Sequence, residues 1–122
     1  MHKEEVQLLL KRSANFLEAA EERYEKEDWD LTCFFAEQAI QLYLKANILK
    51  ETGQTPRTHS IRQLVALLRE ILKKDMDFDR KSLFLLESAY YNARYIAITY
   101  DKEQATEIIE ITKEIINYVK NI

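Results

Sequence analysis

Hydrophobic residues recur along the chain at steps of three and four, the spacing that lines one face of an α-helix. The first such stripe predicts a helix from about Lys3 to Lys26. A second helix is predicted from Trp29 to about Glu51, with Asp28 as its N-cap. This second helix is apolar around most of its circumference, which is more than a surface helix needs. We therefore expect it to be central or to lie at a subunit interface.

Turn and cap residues divide the rest of the chain into three more helices. Gly53 followed by Pro56 is a stop signal, because glycine ends helices and proline prevents them from resuming. Each later helix starts at a predicted cap, and these caps are Ser60 with Gln63, Asp79, and Asp101 with Gln104. In the fourth helix the predicted inward positions are Leu83, Leu86, Tyr90, Ala93 and Ala97. Short connections between helices favour antiparallel packing of neighbours. The pattern predicts an all-α antiparallel bundle of about five helices, forming a single domain over residues 1–122.

Composition agrees with a small globular domain and excludes several classes of protein. The chain is 47% hydrophobic, with one Gly and one Pro, so regular elements must dominate. The net charge of −3 gives no overall basic character for attracting nucleic acid, although a local basic patch is compatible with it. No apolar run is long enough to span a membrane, and the start of the chain does not resemble a signal peptide. We expect a cytoplasmic protein that does not contact membranes.

No self-sufficient catalytic or metal-binding motif is present. The chain has two His and one Cys, without the spacings typical of zinc or di-iron sites, so we expect no metal and no cofactor. A glycine-rich phosphate loop cannot be built from a single Gly. Cys33 lies in an apolar stretch and is interpreted as a core residue, which also fits a reducing compartment. No catalytic residue is predicted.

Two positions have the chemistry of an anion site, each with a structural alternative. In the loop before the third helix, Arg57, His59 and the free amides of the helix start can hold a phosphate. From those residues alone, the favoured interpretation is an ordinary helix entry whose His stacks on the neighbouring helix.

The second position is Arg94, which lies beside the apolar stripe of the fourth helix together with Tyr91, Asn92 and Tyr95. A partly buried guanidinium needs an anion or several acceptors. One interpretation is phosphate or RNA-backbone binding with aromatic stacking. The equally weighted alternative is a structural Arg paired with Glu37 or Glu87. A stripe formed by Glu37, Gln41 and Lys45 on the second helix is interpreted as a solvated face.

Three stretches taken together resemble one family. They are residues 34–46 (FFAEQAIQLYLKA), residues 57–61 (RTHSI) with Leu64, and residues 91–95 (YNARY). In this order and spacing they resemble HEPN domains (higher eukaryotes and prokaryotes nucleotide-binding). The resemblance implies a helical bundle that forms a homodimer, with the Arg-bearing helices meeting near the two-fold axis. It also implies a nucleotide or RNA ligand and pairing with a minimal nucleotidyltransferase, often as toxin and antitoxin.

The sequence departs from this family at the positions where catalysis would require a His. Many HEPN proteins are metal-independent RNases that use an Arg followed after four to six residues by a His. Here the corresponding positions are Thr99, Tyr100 and Asp101. None of these titrates near neutral pH, since Tyr has an ordinary pKa of about 10 and Asp of about 3.9. We therefore expect phosphate binding through Arg94 without rapid cleavage. The alternatives are a non-catalytic interaction module with a structural Arg94, or a weak RNase using Tyr100 or His59.

Overall fold

A computed structural model describes residues 2–92 and 98–122. Within these ranges the chain forms five α-helices and no strands, which confirms the all-α prediction. The helices are α1 (Lys3–Glu25), α2 (Trp29–Thr52), α3 (Ile61–Leu72), α4 (Arg80–Asn92) and α5 (Lys102–Lys120). The predicted inward positions Ala93 and Ala97 lie outside the described residues.

Most of the predicted caps form as expected. The Asp28 side chain accepts a hydrogen bond from the backbone of Leu31, and Gly53 ends α2 in the left-handed conformation with φ of 77°. Asp101 and Gln104 form a reciprocal capping box at the start of α5. These local signals set the helix boundaries because each satisfies backbone groups that the helix itself leaves without partners.

The predicted capping box at the start of α3 forms only in part. Ser60 accepts a hydrogen bond from the backbone of Gln63, as expected. The Gln63 side chain does not complete the box, because its Oε1 accepts a 2.6 Å hydrogen bond from Thr58 Oγ1. Thr58 Oγ1 in turn accepts from the backbone N–H of Ser60, so the threonine hydroxyl replaces the glutamine in the second half of the box.

Contacts between helices establish their directions. Ser13 on α1 donates to the Ala39 carbonyl on α2, and Phe16 contacts Phe35, so these helices are antiparallel. The hydroxyl of Tyr43 on α2 donates to the Ile116 carbonyl on α5, while Asp30 near the start of α2 accepts from the backbone of Tyr100 just before α5. The helices α2 and α5 are therefore parallel.

Two contacts between α4 and α5 establish the direction of α4. Ser82 near the start of α4 donates to Glu107, and Ser88 near its end contacts Tyr100. The α4 helix therefore runs opposite to α5. Together, α1 and α4 run one way and α2 and α5 run the other, which agrees with the antiparallel bundle predicted from the sequence.

The α2 helix is the centre of the bundle, which is one of the two positions that its apolar circumference predicted. It contacts α1, α3, α4 and α5. Its side chains Ile40 and Leu44 are fully buried, and Ile48 is nearly so. Cys33 is also fully buried, which confirms its interpretation as a core residue. Burial, with smaller effects from Asp30 and Asp101, raises the pKa of its thiol to about 12, so the sulfur stays protonated and unreactive.

Candidate functional site

Two of the three residues in the polar stripe on α2 are buried, so the interpretation of the stripe as a solvated face was wrong for Glu37 and Gln41. Glu37 is fully buried and Gln41 is 6% exposed. The cause is tertiary: α3 and α4 both pack on α2 and exclude water from a face that is polar in sequence. Buried polar groups need hydrogen-bond partners, and a buried carboxylate needs them most. The stripe therefore forms part of a hydrogen-bonded polar cluster inside the bundle.

Glu37, Gln41 and His59 form a hydrogen-bonded series, called here the polar chain. Gln41 Nε2 donates to Glu37 Oε2 over 2.6 Å, and His59 Nδ1 lies 3.0 Å from Gln41 Oε1. A carboxylate only accepts hydrogen bonds, so it fixes the amide nitrogen of Gln41 on its own side. The amide oxygen then faces His59, whose Nδ1 must carry the proton. The buried acid on α2 thus determines the tautomer and orientation of a His in the loop before α3.

The polar chain continues into aromatic side chains on α4. The His59 ring stacks on Tyr90 with centroids 4.6 Å apart and an interplanar angle of 16°. Tyr90 meets Tyr91 edge to face at 4.9 Å. Stacking of the loop His on a neighbouring helix is the structural arrangement favoured for this loop from sequence, and it is confirmed. Tyr91 is 57% exposed, so the series leads from a buried carboxylate to the protein surface.

The start of α3 is occupied by Glu87, a residue to which the sequence assigned only a possible pairing with Arg94. Glu87 Oε1 accepts hydrogen bonds from Ser60 Oγ at 2.6 Å and from the Arg62 backbone at 3.1 Å. Its Oε2 accepts from Arg62 Nη2 at 3.0 Å. The amides considered as a phosphate site are thus already capped by a carboxylate from α4. No local sequence signal indicated this contact, because it joins residues of two different helices.

Tyr100 and Asn92 are engaged with each other between α4 and α5. Tyr100 is 6% exposed, and its hydroxyl lies 2.9 Å from Ser88 Oγ and accepts from Asn92 Nδ2 at 3.3 Å. Burial raises the pKa of Tyr100 above its usual value, although its hydrogen bonds oppose the change. A higher pKa moves the hydroxyl further from acid–base use at neutral pH. These contacts indicate a structural role for Tyr100. The Asn92 side chain is directed towards the Tyr100 hydroxyl.

The other residues predicted for the site are Arg57, Arg94 and Tyr95. Arg57 is exposed, and among the described residues it makes no hydrogen bond or ion pair. Arg94 and Tyr95 lie outside the described residues. The structure therefore brings together Glu37, His59 and Tyr91, with Gln41 and Tyr90 as the links that sequence analysis did not assign.

The family model of the HEPN domain matches residues 6–122. The chain belongs to the HEPN domain family. No curated protein sequence matches this HEPN domain. Two solved structures resemble it over nearly their whole lengths. The chain is similar to TT1696 from Thermus thermophilus, with 26% identity, a TM-score of 0.79, and coverage of 95% of this chain and 96% of that one. It is also similar in fold to ST0689, an archaeal HEPN homologue, with 23% identity, a TM-score of 0.69, and coverage of 95% of both chains.

Two features are absent from the described part of this HEPN domain. Its described residues contain no group of three or more His, Cys, Asp or Glu side chains arranged to hold a metal ion. Among the helices described, none combines the length and the apolar character needed to cross a membrane.

Glu87 is expected to make the HEPN domain sensitive to acid. Burial pushes its pKa upward, but hydrogen bonds from Arg62 and Ser60 outweigh burial and hold the pKa below its usual 4.5. A carboxylate with a lowered pKa in the folded state stabilises the protein above about pH 4.5, and this stabilisation is lost as pH falls through the folded pKa. We expect Glu87→Gln to lower the free energy of unfolding by about 1–2 kcal/mol at neutral pH. The deficit should shrink below about pH 4.5.

Urea unfolding of both proteins across that pH range measures the effect. The matched control is Glu51→Gln at the exposed end of α2, which should follow the parent protein at every pH. A Glu87→Gln deficit that stays constant from neutral to acidic pH would contradict the assignment.

Proposed function

We propose that this HEPN domain binds the phosphate of a nucleotide or RNA through Arg94, as a homodimer, and does not cleave RNA rapidly. The observation that carries the proposal is the meeting of Glu37, His59 and Tyr91, three of the residues predicted for the site, along one continuous series of contacts. An imidazole of fixed orientation and stacked aromatic rings suit a site that holds the base of a nucleotide, and the buried carboxylate of Glu37 contributes by fixing Gln41, which faces the imidazole.

The chemistry of each group supports a role in binding. Arg94 follows Tyr90 by four residues in the sequence, and its guanidinium is permanently charged and suited to bidentate contact with phosphate oxygens. The exposed ring of Tyr91 offers a face on which a base can stack. Of the two acids considered as partners for a structural Arg94, Glu87 is already bound by Arg62 and Ser60.

The positions where an RNase His would fall support binding without cleavage. Tyr100 is buried against Ser88 and Asn92, and Asp101 caps α5. The two His residues of the chain are His2 and His59, and the Nδ1 of His59 faces Gln41. A weak RNase using Tyr100 is therefore disfavoured relative to a protein that binds and retains its ligand.

The homodimer is supported by large hydrophobic side chains on the surface of α4. Phe84 is 59% and Tyr91 57% exposed, and their spacing of seven residues places them on the same face of the helix. A second copy of the chain would contact both rings at their edges, so that one face of each ring stays open to a ligand. Light scattering at micromolar concentration should give twice the 14.5 kDa mass of the chain, and a clean monomer would refute this part of the proposal.

A minimal nucleotidyltransferase is the partner we propose, in a system of the toxin–antitoxin type. The support is membership of the HEPN family and the absence of a His at the positions needed for an independent nuclease. A neighbouring gene for such an enzyme would support the pairing. Co-expression and joint purification of the two chains would test it directly.

The test of the site compares Arg94→Ala with the parent protein. We expect a fluorescein-labelled single-stranded RNA and labelled ATP to bind the parent, with the RNA recovered intact. Removal of a charge-assisted hydrogen bond should weaken both affinities by about tenfold or more, since such bonds contribute about 1.5–3 kcal/mol. Fluorescence anisotropy gives the affinities, and denaturing gels report the length of the RNA.

Arg12→Ala is the matched control. Arg12 is exposed on α1, so its loss removes the same charge away from the site. Equal affinities for the two variants would refute the site. Rapid RNA cleavage that disappears in Arg94→Ala would refute binding without turnover. No RNA or ATP binding by the parent would favour the alternative function, an interaction module in which Arg94 is structural.

A further inference from the structure

A groove between α3 and α4 carries three arginines that the proposed site does not use. It has a volume of about 580 Å³ and is lined by Arg62, Arg69 and Arg80 together with Asp77. Its floor is apolar and is formed by side chains buried in the core, namely Val65, Met76 and Leu83. This volume is in the range of pockets that hold small ligands, and the arginines give its rim a positive charge.

Two of these arginines have no carboxylate partner among the described residues. The ion pairs of the described chain include Arg62 with Glu87, but neither Arg69 nor Arg80 makes one. Both are exposed, and Asp77 is the single acid that lines the groove. A cationic rim without neutralising partners favours a negatively charged ligand.

The charge is concentrated in this part of the chain. Residues 57–81 contain seven Lys or Arg and four Asp or Glu, although the whole chain has a net charge of −3. The remaining residues of the chain together therefore carry a net negative charge. The contrast directs a polyanion towards the α3–α4 groove.

The groove adjoins the polar chain at neighbouring residues. Ser60 lines the groove and directly follows His59 in the sequence, and Glu87 holds both Ser60 and Arg62 in place. Beside it, the Arg62 guanidinium lies 5.1 Å from the ring centroid of Phe84, whose side chain is 59% exposed. An exposed ring beside a row of guanidinium groups matches the alternation of bases and phosphates in a single strand.

We propose that the α3–α4 groove binds the phosphate backbone of a single-stranded RNA that extends beyond the polar chain. The proposal rests on the proposed function in taking RNA as the ligand. Arg62 and Arg69 are seven residues apart on α3, about 10.5 Å along the helix axis and on the same side. That separation exceeds the reach of the oxygens of one phosphate group. A ligand that contacts both arginines in this spacing spans more than one nucleotide, so we expect affinity to rise with the length of the strand.

The experiment measures the affinities of labelled ATP and of labelled RNA oligonucleotides of increasing length. The variant is Arg69→Ala with Arg80→Ala, and both side chains are exposed, so folding should be preserved. We expect the double variant to bind ATP like the parent and to bind the longer RNAs at least tenfold more weakly. The slope of log affinity against log salt should fall by about 0.7 for each phosphate that the variant no longer neutralises. Lys11→Ala with Arg12→Ala, on the exposed face of α1, removes the same charge as a control and should match the parent.

The outcomes separate this inference from the proposed function. If Arg94→Ala weakens binding of both ligands while Arg69→Ala with Arg80→Ala leaves the length dependence unchanged, the groove proposal fails and the Arg94 site stands. If only the groove variant weakens RNA binding, the groove stands and the Arg94 site fails. Competition by a poly-glutamate peptide as effective as RNA of equal charge would overturn the choice of RNA.

Discussion

Leu44→Ala should lower the free energy of unfolding by about 2–5 kcal/mol. Leu44 is fully buried in the main core cluster, on the helix that all four other helices contact. The substitution removes apolar contacts and leaves a cavity that surrounding helices can fill only by moving away from their own partners. A small domain has a total stability of only about 5–15 kcal/mol, so much of it would be lost.

Urea unfolding followed by circular dichroism measures this loss, at one fixed protein concentration because dimerisation would add to the apparent stability. Leu8→Ala is the matched control. Leu8 is also helical, but it lies on α1 and is 45% exposed, so its loss should cost less than about 1 kcal/mol. Equal effects of the two substitutions would contradict the placement of α2 at the centre.

Glu37→Ala should cost about 1–3 kcal/mol of stability and also disorder the candidate site. Glu37 accepts from Gln38 Nε2 at 2.9 Å and from Gln41 Nε2 at 2.6 Å. Without it, the amide of Gln41 is buried with a donor that has no acceptor. The side-chain amide of Gln41 is then free to flip, and the tautomer of His59 is no longer fixed. We expect weaker RNA binding and changed NMR signals from the His59 ring.

The control for Glu37→Ala is Glu51→Ala on the same helix, where the side chain is exposed. It should leave unfolding, RNA affinity and the His59 signals as in the parent. Glu37→Gln adds a second comparison, because it keeps the volume of the side chain while removing its charge. If Glu37→Ala loses stability but leaves the His59 signals unchanged, Glu37 serves only the core and the polar chain is not a unit.

The fold was largely predictable because its signals are local. Helical spacing identified each of the five described helices, and Asp28, Gly53 and Asp101 marked helix ends through contacts within a few residues. Even the central position of α2 followed from its apolar circumference. The failure at Ser60 and Gln63 has the same physical basis, since the nearby Thr58 hydroxyl competes for the groups that the capping box would use. A sequence pattern that considers one hydrogen bond at a time does not predict which of two competing local hydrogen bonds forms.

The site was less predictable because its contacts join distant parts of the chain. Glu37 and His59 were identified as candidates, but the link through Gln41 joins residues 18 apart, and the contact of Glu87 with Ser60 joins residues 27 apart. Periodicity describes one helix at a time, so it assigned Glu37 and Gln41 to solvent when α3 and α4 cover them. Burial of a polar stripe depends on which helices pack over it, and that information is not local.

The parallel pairing of α2 with α5 has a consequence for how the chain folds. Ser13 and Ala39 bring together α1 and α2 across 26 residues, whereas Tyr43 and Ile116 join α2 to α5 across 73. Closing the longer loop costs about 1 kcal/mol more in chain entropy, so the α1–α2 hairpin is the unit that can form early. During synthesis, one apolar side of α2 therefore stays uncovered until α5 has left the ribosome. We expect the nascent chain to be most prone to aggregation, and most dependent on a chaperone, during that interval.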